Sequence, residues 1–315
     1  MNPVNKNHWL WCEKWRPQVI DDCVLPAATK ETFKQYVLDG NIPSMILCGG
    51  PGSGKTTSAR ALCNETKSDW MIINCSDENG IDVLRTKIKQ FASTVSFSDA
   101  KKVVILDESD YLSPNAQAAF RGLIEEYAKN CTFIFTCNYK NKLIEPLHSR
   151  CVVFDYKIPT VEKPSIAKQV FQRMCYVLTE ESITFDKKVV AELVQKYFPD
   201  FRRMLNEMQR YSAKGTIDTG ILIAGGNDSY APLMEALKEK KYADVRKWVS
   251  QNSDIDSAKI FRDLYDILHE RVSPKSFGNM VLTIADYSYR SAFVADQEIN
   301  TVAALVTLMM DLEFK

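Results

Sequence analysis

Residues 49–56 have the sequence GGPGSGKT, which matches the spacing of a phosphate-binding loop. The loop follows the apolar run SMILC and precedes TTSARALCNE, which has helical character, so strand, loop and helix occur in the required order. Backbone N–H groups and the helix N-terminus would surround the phosphates of a nucleotide. Lys55 is expected to reach the β- and γ-phosphates, and the Thr56 hydroxyl is expected to ligate Mg²⁺. The alternative is a chance glycine-rich turn. The nucleotide-binding residues predicted in this loop are Gly52, Ser53, Gly54, Lys55, Thr56 and Thr57.

Polar residues follow two other apolar runs. Asp107 and Glu108 come at the end of VVILD, and Asn138 directly follows TFIFTC. At the tip of a buried strand, Asp107 could hold the Mg²⁺ shell, and Glu108 could polarise a water for attack on the γ-phosphate. Asn138 could orient that water. Solvated carboxylates and a turn-forming asparagine are the alternatives, and for Asn138 the residues alone leave both interpretations open.

Arg150 lies in LHSRC, residues 147–151, and no acidic residue is adjacent to it in the sequence. A guanidinium can stabilise negative charge on a transferring phosphoryl group. The segment by itself does not identify the negative charge that Arg150 serves, nor whether that charge lies on the same chain. A surface arginine that caps a strand is the alternative.

Five short apolar runs are predicted to be buried strands that position these residues. Each run is bounded by turn or polar residues, and the stretches between them, such as IDVLRTKIKQFA and NAQAAFRGLIEEYA, have helical periodicity. Ser113-Pro114 suits an N-cap followed by proline at the first helical position. Strands alternating with helices predict a parallel α/β sheet. The runs are SMILC (44–48), WMIINC (70–75), VVILD (103–107), TFIFTC (132–137) and VVFDY (152–156).

The pattern changes after Lys157-Ile158-Pro159, where strand-like runs nearly vanish and helical periodicity takes over. A turn cluster at residues 225–229, GGNDS, divides this helical half. The chain of 315 residues is too long for one comfortable core. Three domains are therefore predicted, at residues 1–157, 158–224 and 229–315.

Composition narrows the class of protein. The formal net charge is +0, so any contact with nucleic acid must come from a local patch or from an assembly. The nine cysteines form no CxxC pair and only three histidines are present, which argues against a zinc site and favours reduced thiols in a cytosolic protein. The N-terminal MNPVNKNHWL does not have the pattern of a signal peptide. Without an apolar run of about 20 residues, no membrane span is predicted.

Several motifs together resemble one family. The phosphate-binding loop and Asp107-Glu108 occur with TCN (136–138), SRC (149–151) and WCEKWRP (11–17), as in AAA+ sliding-clamp loaders. The Ser-Arg-Cys motif is distinctive of replication-factor-C-type small subunits and phage clamp loaders. FKQYVLDGNIPSMIL and KYFPDFRRMLNE are most similar to large subunits of T-even-type bacteriophage loaders. The resemblance covers nearly the whole chain and is specific from residue 11 to about residue 206. It implies an α/β P-loop AAA+ core with a parallel sheet, an α-helical lid and an α-helical C-terminal collar.

The resemblance also assigns roles around a bound ATP. It implies that Arg150 is an arginine finger that reaches the γ-phosphate bound by a neighbouring subunit. Asn138 becomes the first sensor residue, and Arg202 in the lid becomes the second, contacting the nucleotide of its own subunit. The family's N-terminal segment covers the adenine, which here implies Cys12, Glu13, Lys14 and Trp15, with Val24 following. Simple packing is the alternative for the tryptophans of this segment.

DNA-binding residues are implied on two helices. Arg85 and Lys89 lie one turn apart, and Gln117 and Arg121 match positions that sit near DNA or couple it to the ATP site. Such contacts would be independent of base sequence and sensitive to salt. A solvated basic face is the alternative. Many relatives have a basic residue before Gly80, whereas this chain has Glu78-Asn79-Gly80, which puts one phosphate contact in doubt.

The resemblance implies an ATPase that opens a ring-shaped sliding clamp and closes it at primer–template DNA. Its expected partners are the clamp, a distinct small subunit, and further copies of the chain, four in a five-subunit assembly. The expected location is the cytoplasm, that of a bacterial host if the chain is of phage origin. A motor AAA+ protein and a scaffold without catalysis are the alternatives. The segment of residues 76–80 lacks the aromatic residue of an unfoldase pore loop, and the catalytic residue types are all present.

Overall fold

The computed structural model describes residues 8–77, 81–94, 101–213, 215–221, 230–253 and 255–314. Outside these ranges lie the segment Glu78-Asn79-Gly80 and the turn cluster at 225–229. The chain divides into two compact units, Met1–Leu222 and Ile223–Lys315. The division into three domains stays a prediction.

A five-stranded parallel sheet forms the centre of the first unit, as the alternation of strands and helices predicted. Its strands are paired in the order β2-β3-β4-β1-β5. Because all five strands run in one direction, the residues that follow β1, β3 and β4 meet at a single edge of the sheet. The strand bounds are β1 Met45–Cys48, β2 Trp70–Asn74, β3 Lys102–Asp107, β4 Cys131–Cys137 and β5 Val152–Asp155.

Helices cover both faces of this sheet. Alternate strand residues point to opposite faces. One face therefore packs on α4 and α5, and the other packs on α2 and α3. The helix bounds are α1 Trp11–Lys14, α2 Ala27–Asp39, α3 Lys55–Glu65, α4 Ile81–Ser93, α5 Pro114–Glu126 and α6 Glu145–His148, with 3₁₀ turns at Ile20–Asp22, Ser109–Tyr111 and Lys140–Lys142.

The start of α5 agrees with the capping pattern in the sequence. The Ser113 hydroxyl accepts a hydrogen bond from the backbone N–H of Ala116 at 3.2 Å, and Pro114 occupies the first turn. Phe120 is fully buried on the same helix and packs edge-on against Phe133 and Phe135 of β4. The cap and this aromatic cluster fix α5 against the sheet.

The prediction of five buried strands was wrong at the sheet edges. Val152 and Val153 of β5 are 44% and 39% exposed, and most of β2 is only half-buried. The physical reason is the strand order, which gives β2 and β5 a neighbour on one side only. Apolar composition alone does not distinguish an edge strand from a central one.

The lid forms the rest of the first unit. Its elements are α7 Lys163–Glu180, β6 Thr184–Phe185, α8 Lys187–Tyr197, α9 Phe201–Ser212 and β7 Thr216–Ile217. The two short strands pair in parallel. Trp11 and Trp15 are buried in the lid's hydrophobic core, although both lie within the predicted range 1–157. The N-terminal segment, defined here as residues 9–15, therefore packs on the lid.

The second unit is helical and has its own hydrophobic core. The Asp256 and Asp296 side chains cap the N-termini of two of its helices. Its helices are α10 Ala231–Lys238, α11 Tyr242–Gln251, α12 Ser257–Arg271, α13 Phe277–Arg290 and α14 Gln297–Asp311. Within the described parts of the chain, no helix is both long and apolar enough to cross a membrane.

Candidate nucleotide-binding site

The loop between β1 and α3 has the shape that its glycines allow. Gly52 and Gly54 have φ of +68° and +92°, in the left-handed region that favours glycine. Lys55, which follows directly, is only 9% exposed, and burial lowers the pKa of its ammonium group. Its Nζ donates hydrogen bonds to the carbonyl oxygens of Gly49 and Gly50, both at 2.8 Å, and to Asn138 Oδ1 at 3.0 Å. The structure thus brings Lys55 and Asn138 together.

The hydroxyl of Thr56 lies against the carboxylate that ends β3. Thr56 Oγ1 donates to Asp107 Oδ1 at 2.7 Å. The same carboxylate oxygen accepts a hydrogen bond from Thr136 Oγ1, and that hydroxyl in turn accepts from the Glu108 N–H at 3.2 Å. A hydroxyl and a carboxylate oxygen at the end of a phosphate-binding loop are donors that Mg²⁺ prefers. The residues therefore fit this ion.

Glu108 has an unusual backbone. Its φ and ψ are 56° and 42°, in the left-handed region, which is uncommon for a residue with a side chain. Such conformations cost on the order of 1–3 kcal/mol and cluster at functional sites. The strained turn leaves the Glu108 side chain exposed, directly beside Asp107 in sequence. A carboxylate in this position can accept a proton from water.

A cavity lies between the loop, the N-terminal segment and the lid. Its wall includes three residues predicted on the adenine side, Cys12, Trp15 and Val24, and the predicted second sensor Arg202. The whole predicted loop stretch, Gly52, Ser53, Gly54, Lys55, Thr56 and Thr57, also lines it. The cavity therefore combines the phosphate-binding loop with apolar residues of the N-terminal segment, and a nucleotide needs both kinds of contact.

Two residues predicted to bind the nucleotide do not line this cavity. The Lys14 ammonium forms an ion pair with Glu181 of the lid at 2.6 Å, and the Glu13 carboxylate pairs with the guanidinium of Arg16. Helix α1 is the cause, because successive residues of a helix point in different directions and only part of the segment can face the cavity. In this structure the side chains of Glu13 and Lys14 are engaged in ion pairs, and their role in nucleotide binding stays a prediction.

Sequence reasoning missed about half of the cavity wall. Pro17, Cys23 and Leu25 follow the N-terminal segment, and their types carry no chemical signal. The lid residues lie on adjacent turns of α7 and on α9, where the sequence predicted helices but, apart from Arg202, no contact with the nucleotide. The missed residues are Arg16, Pro17, Cys23, Leu25, Val170, Arg173, Met174, Phe201 and Leu205.

The lid touches the phosphate-binding loop directly. The N–H of Phe201 donates to the Gly52 carbonyl oxygen at 3.2 Å. Asp200 caps α9 by accepting from the Arg203 N–H at 3.0 Å, and its Oδ1 would lie 1.8 Å from a Cβ at position 52. Gly52 is therefore required both by its own backbone and by the approach of the lid.

Arg150 has an acidic partner within its own chain, contrary to the expectation from its sequence neighbours. Its guanidinium contacts Glu125 of α5, with Nε and Nη2 at 2.9 Å and 2.8 Å from Oε1. Its Nη1 also donates to the Pro146 carbonyl oxygen at 3.0 Å. Glu125 is 25 residues away in the sequence, so only the fold brings the two together. Action of Arg150 on a neighbouring subunit stays a prediction.

The residues predicted to contact DNA differ in exposure. Arg85 and Lys89 of α4 and Arg121 of α5 are exposed, on two helices that cover the same face of the sheet. Gln117 is only 3% exposed, and its amide bonds to the backbone of Leu112, Lys142 and Ile144 at 2.8 to 3.0 Å. Direct DNA contact by Gln117 is therefore contradicted, because its side chain is already satisfied inside the protein. Its coupling role stays a prediction.

Comparison with known proteins identifies the family. Residues 45–160 match the model of the ATPase family associated with various cellular activities (AAA), and residues 162–223 match that of the sliding-clamp-loader large subunit, AAA+ ATPase lid domain. The sliding-clamp-loader large subunit of Enterobacteria phage T4 is 36% identical over 321 residues, covering 100% of both chains. The chain belongs to the sliding-clamp-loader family of AAA+ ATPases.

Other clamp-loader proteins support this membership. The large subunit of Escherichia phage RB69 is 35% identical over the full length of both chains. A replication factor C small subunit from Saccharolobus solfataricus is 38% identical over 214 residues, 66% of this chain and 63% of that one. The solved structure of the Thermotoga maritima RuvB Holliday junction branch migration motor superposes with a TM-score of 0.56 over 90% of each chain at 14% identity. At that identity the likeness shows the AAA+ fold alone.

Membership confirms the fold class and the enzymatic class that the motifs predicted. The clamp-loader chain has an AAA+ core with a parallel sheet, followed by a helical lid and C-terminal helices. It is an ATPase that binds nucleotide. The catalytic and binding roles of individual residues are proposals, developed below from their geometry.

Proposed function

We propose that the chain is the ATPase subunit of a loader that places a ring-shaped sliding clamp on primer–template DNA during replication. ATP binding orders a spiral of subunits that opens the clamp and admits DNA, and hydrolysis then releases the closed clamp. The single observation that supports this best is the convergence of Lys55, Thr56, Asp107 and Asn138 at one sheet edge, in a chain similar to the phage T4 protein over its whole length.

Each residue at the site has a distinct proposed task. The ammonium of Lys55 exchanges its carbonyl partners for the β- and γ-phosphate oxygens. Thr56 and Asp107 hold Mg²⁺, which neutralises phosphate charge when bound. Glu108 accepts a proton from the attacking water, which Asn138 orients. Lys55 and Asn138 already share a hydrogen bond, so a movement of the Lys55 side chain changes the position of the Asn138 side chain.

The proposed binding of the adenosine end uses the lid. Cys12, Trp15 and Val24 form the apolar wall against the base, and Arg202 contacts the phosphates. Arg150 acts in trans. Its guanidinium breaks the ion pair with Glu125 and reaches the γ-phosphate bound by a neighbouring subunit. A guanidinium supplied in this way is worth roughly 10³–10⁵ in rate.

The proposed partners follow from the same assignment. They are the sliding clamp, a clamp-loader small subunit, other copies of the chain in a five-subunit assembly, and primer–template DNA. The exposed Arg85, Lys89 and Arg121 support the DNA contact, since several copies would add their small basic patches along one strand. We place this activity in the cytoplasm of a bacterial host, because relatives occur in phages T4 and RB69.

The test is steady-state ATP hydrolysis by the purified assembly, with and without primed DNA and the cognate clamp. Joint stimulation by the clamp and the primer–template junction is expected. Stimulation by long DNA that is indifferent to clamp and junction would instead indicate a translocating motor and would overturn the proposal.

The catalytic role of Glu108 is tested with Glu108→Gln. Loss of the proton acceptor is expected to lower kcat by about 10²–10⁴ while ATP binding persists. Calorimetric titration with ATP checks that the site remains intact. Asp77→Asn, in the exposed turn after β2, is the matched control and is expected to keep full activity. Unchanged hydrolysis by Glu108→Gln would exclude the role.

A further inference from the structure

Arg173 of the lid makes two contacts with the wall of the nucleotide cavity. Its Nη2 donates to the carbonyl oxygen of Trp15 at 2.7 Å, and its Nη1 donates to the carbonyl oxygen of Asp22 at 3.1 Å. The backbone between these acceptors, residues 16–21, leads from the N-terminal segment to Cys23 and Val24, which also line the cavity. One guanidinium thus ties both ends of this stretch, here called the cradle, to α7.

Other contacts bind the N-terminal segment to the lid but stop short of the cradle's far end. The Trp15 indole N–H donates to Glu181 Oε1 at 2.6 Å, and the Trp11 N–H donates to Gln209 Oε1 at 2.8 Å. Both tryptophans are buried among lid side chains. Arg173 extends this attachment to Asp22, which precedes the cavity-lining Cys23 and Val24.

From this geometry we infer that Arg173 is a positioning residue for the base end of ATP. It holds the backbone that carries Trp15 and Val24 in place on the cavity wall, and it makes the cradle move with the lid. The inference rests on the proposed placement of adenine against these residues. Arg173 does not act on the phosphates, which bind at the opposite end of the cavity, on Lys55 and Thr56.

The chemistry of the arginine side chain fits this role. A planar guanidinium presents several N–H donors at fixed angles, so it can bind two carbonyl oxygens at once. Burial lowers the pKa of Arg173, whereas the nearby Asp22 carboxylate opposes that shift. An arginine stays charged under these conditions, and charge-assisted bonds are stronger than neutral ones. A lysine at this position has one nitrogen and could satisfy both carbonyls only with poorer geometry.

The experiment compares a ligand that has a base with one that lacks it. Dissociation constants are measured on the full chain for ATP, by calorimetry, and for inorganic tripolyphosphate, by displacement of a bound ATP analogue. Arg173→Met is expected to weaken ATP about tenfold and to leave tripolyphosphate within twofold of the wild-type value. The dissociation constant of Arg173→Lys for ATP should lie between those of the wild type and Arg173→Met. Lys168→Met, at an exposed position of the same helix, should change neither the ATP nor the tripolyphosphate dissociation constant.

A purely structural role predicts a different result. Equal weakening of both ligands by Arg173→Met, or no weakening of either, would overturn the inference. If that variant does not fold, the same ratio measured on Arg173→Lys decides. Kinetics add an independent readout, because lost base positioning should raise KM for ATP and leave kcat unchanged. Failure of the wild-type chain to bind ATP would instead refute the proposed function.

Discussion

At the residue scale, the most informative contact is the one between Arg150 and Glu125. The Arg150 side chain is 25% exposed and the Glu125 side chain is 61% exposed, so water screens the pair. Ion pairs of this kind contribute only about 0–1 kcal/mol. The guanidinium can therefore leave Glu125 for a more strongly charged partner, such as a phosphate, at small cost. Glu125 would hold the finger in a defined place until then.

This weak pairing predicts a small gain on removing Glu125. Glu125→Gln is expected to raise the ATPase rate of the assembled loader by up to about fivefold, because the finger no longer has to break an ion pair. The effect should shrink at high salt, which already screens the pair. Steady-state hydrolysis at two salt concentrations provides the measurement.

Two further variants serve as controls for this prediction. Glu126→Gln, at the next exposed position of α5, should leave the rate unchanged. Arg150→Ala should lower it by roughly 10³ or more if the finger acts on a transferring phosphoryl group. A fall in rate with Glu125→Gln would show that the carboxylate supports the finger in its active position, contrary to our expectation.

At the element scale, the phosphate-binding loop is fixed by its contact with α9. Glycines 50, 52 and 54 look alike in the sequence, yet the structure distinguishes them. A Cβ at Gly50 or Gly54 would meet nothing within 4 Å, whereas at Gly52 it would collide with Asp200. Gly52 and Gly54 have positive φ, and Gly50 does not. Gly54 therefore reports backbone strain alone, Gly52 reports backbone strain together with contact with the lid, and Gly50 reports neither.

An alanine series tests this separation. Gly50→Ala is expected to change the free energy of unfolding by less than about 0.5 kcal/mol. Gly54→Ala should cost about 1–2 kcal/mol through left-handed strain, and Gly52→Ala should cost more because Asp200 must also move. Thermal unfolding of the full chain without nucleotide gives the order of the three variants.

A double variant isolates the contact itself. In an Asp200→Ala background, Gly52→Ala should cost less than it does in the wild-type chain, because the colliding oxygen is gone. Asp200→Ala alone also removes a helix cap worth about 1 kcal/mol, so the comparison is made within that background. Equal costs in both backgrounds would show that the lid does not restrict position 52.

At the scale of the whole molecule, charge balance limits what one copy can do. The chain has 40 basic and 40 acidic residues, so a single copy has no overall attraction for DNA. Its exposed basic residues on α4 and α5 are few. The proposed binding to DNA would therefore depend on several copies that present the same patch, and we expect it to be sensitive to salt.

Arg85→Ala measures how many copies bind DNA through this residue. In a plot of the logarithm of DNA affinity against the logarithm of salt concentration, the slope is negative, and removal of one arginine–phosphate interaction should make it shallower by about 0.9. With several copies engaged, the slope should change by a multiple of this value. Fluorescence anisotropy with primed DNA gives the slope, and Lys168→Ala, on the lid, serves as the control. An unchanged slope would remove Arg85 from the interface.

The sequence by itself determined the chemistry and the class of fold. Loop spacing indicated Lys55 and Thr56, and the end of a strand indicated Asp107, whereas the role of Asn138 came from the family resemblance. The alternation of strands and helices predicted the parallel sheet. These features are readable because each depends on residues close in the chain, or on the rule that parallel strands end at one edge. Local spacing also placed the cap of α5 correctly, at Ser113.

Only the tertiary structure decided which side chains meet across long separations. It buried Gln117, paired Arg150 with Glu125, engaged Glu13 and Lys14 in ion pairs, and exposed the edge strand β5. It also joined the N-terminal segment to a lid that begins about 150 residues later, and it placed Arg173 between them. The physical reason is that burial and pairing depend on strand order and on helix packing, which a local pattern of residue types does not encode.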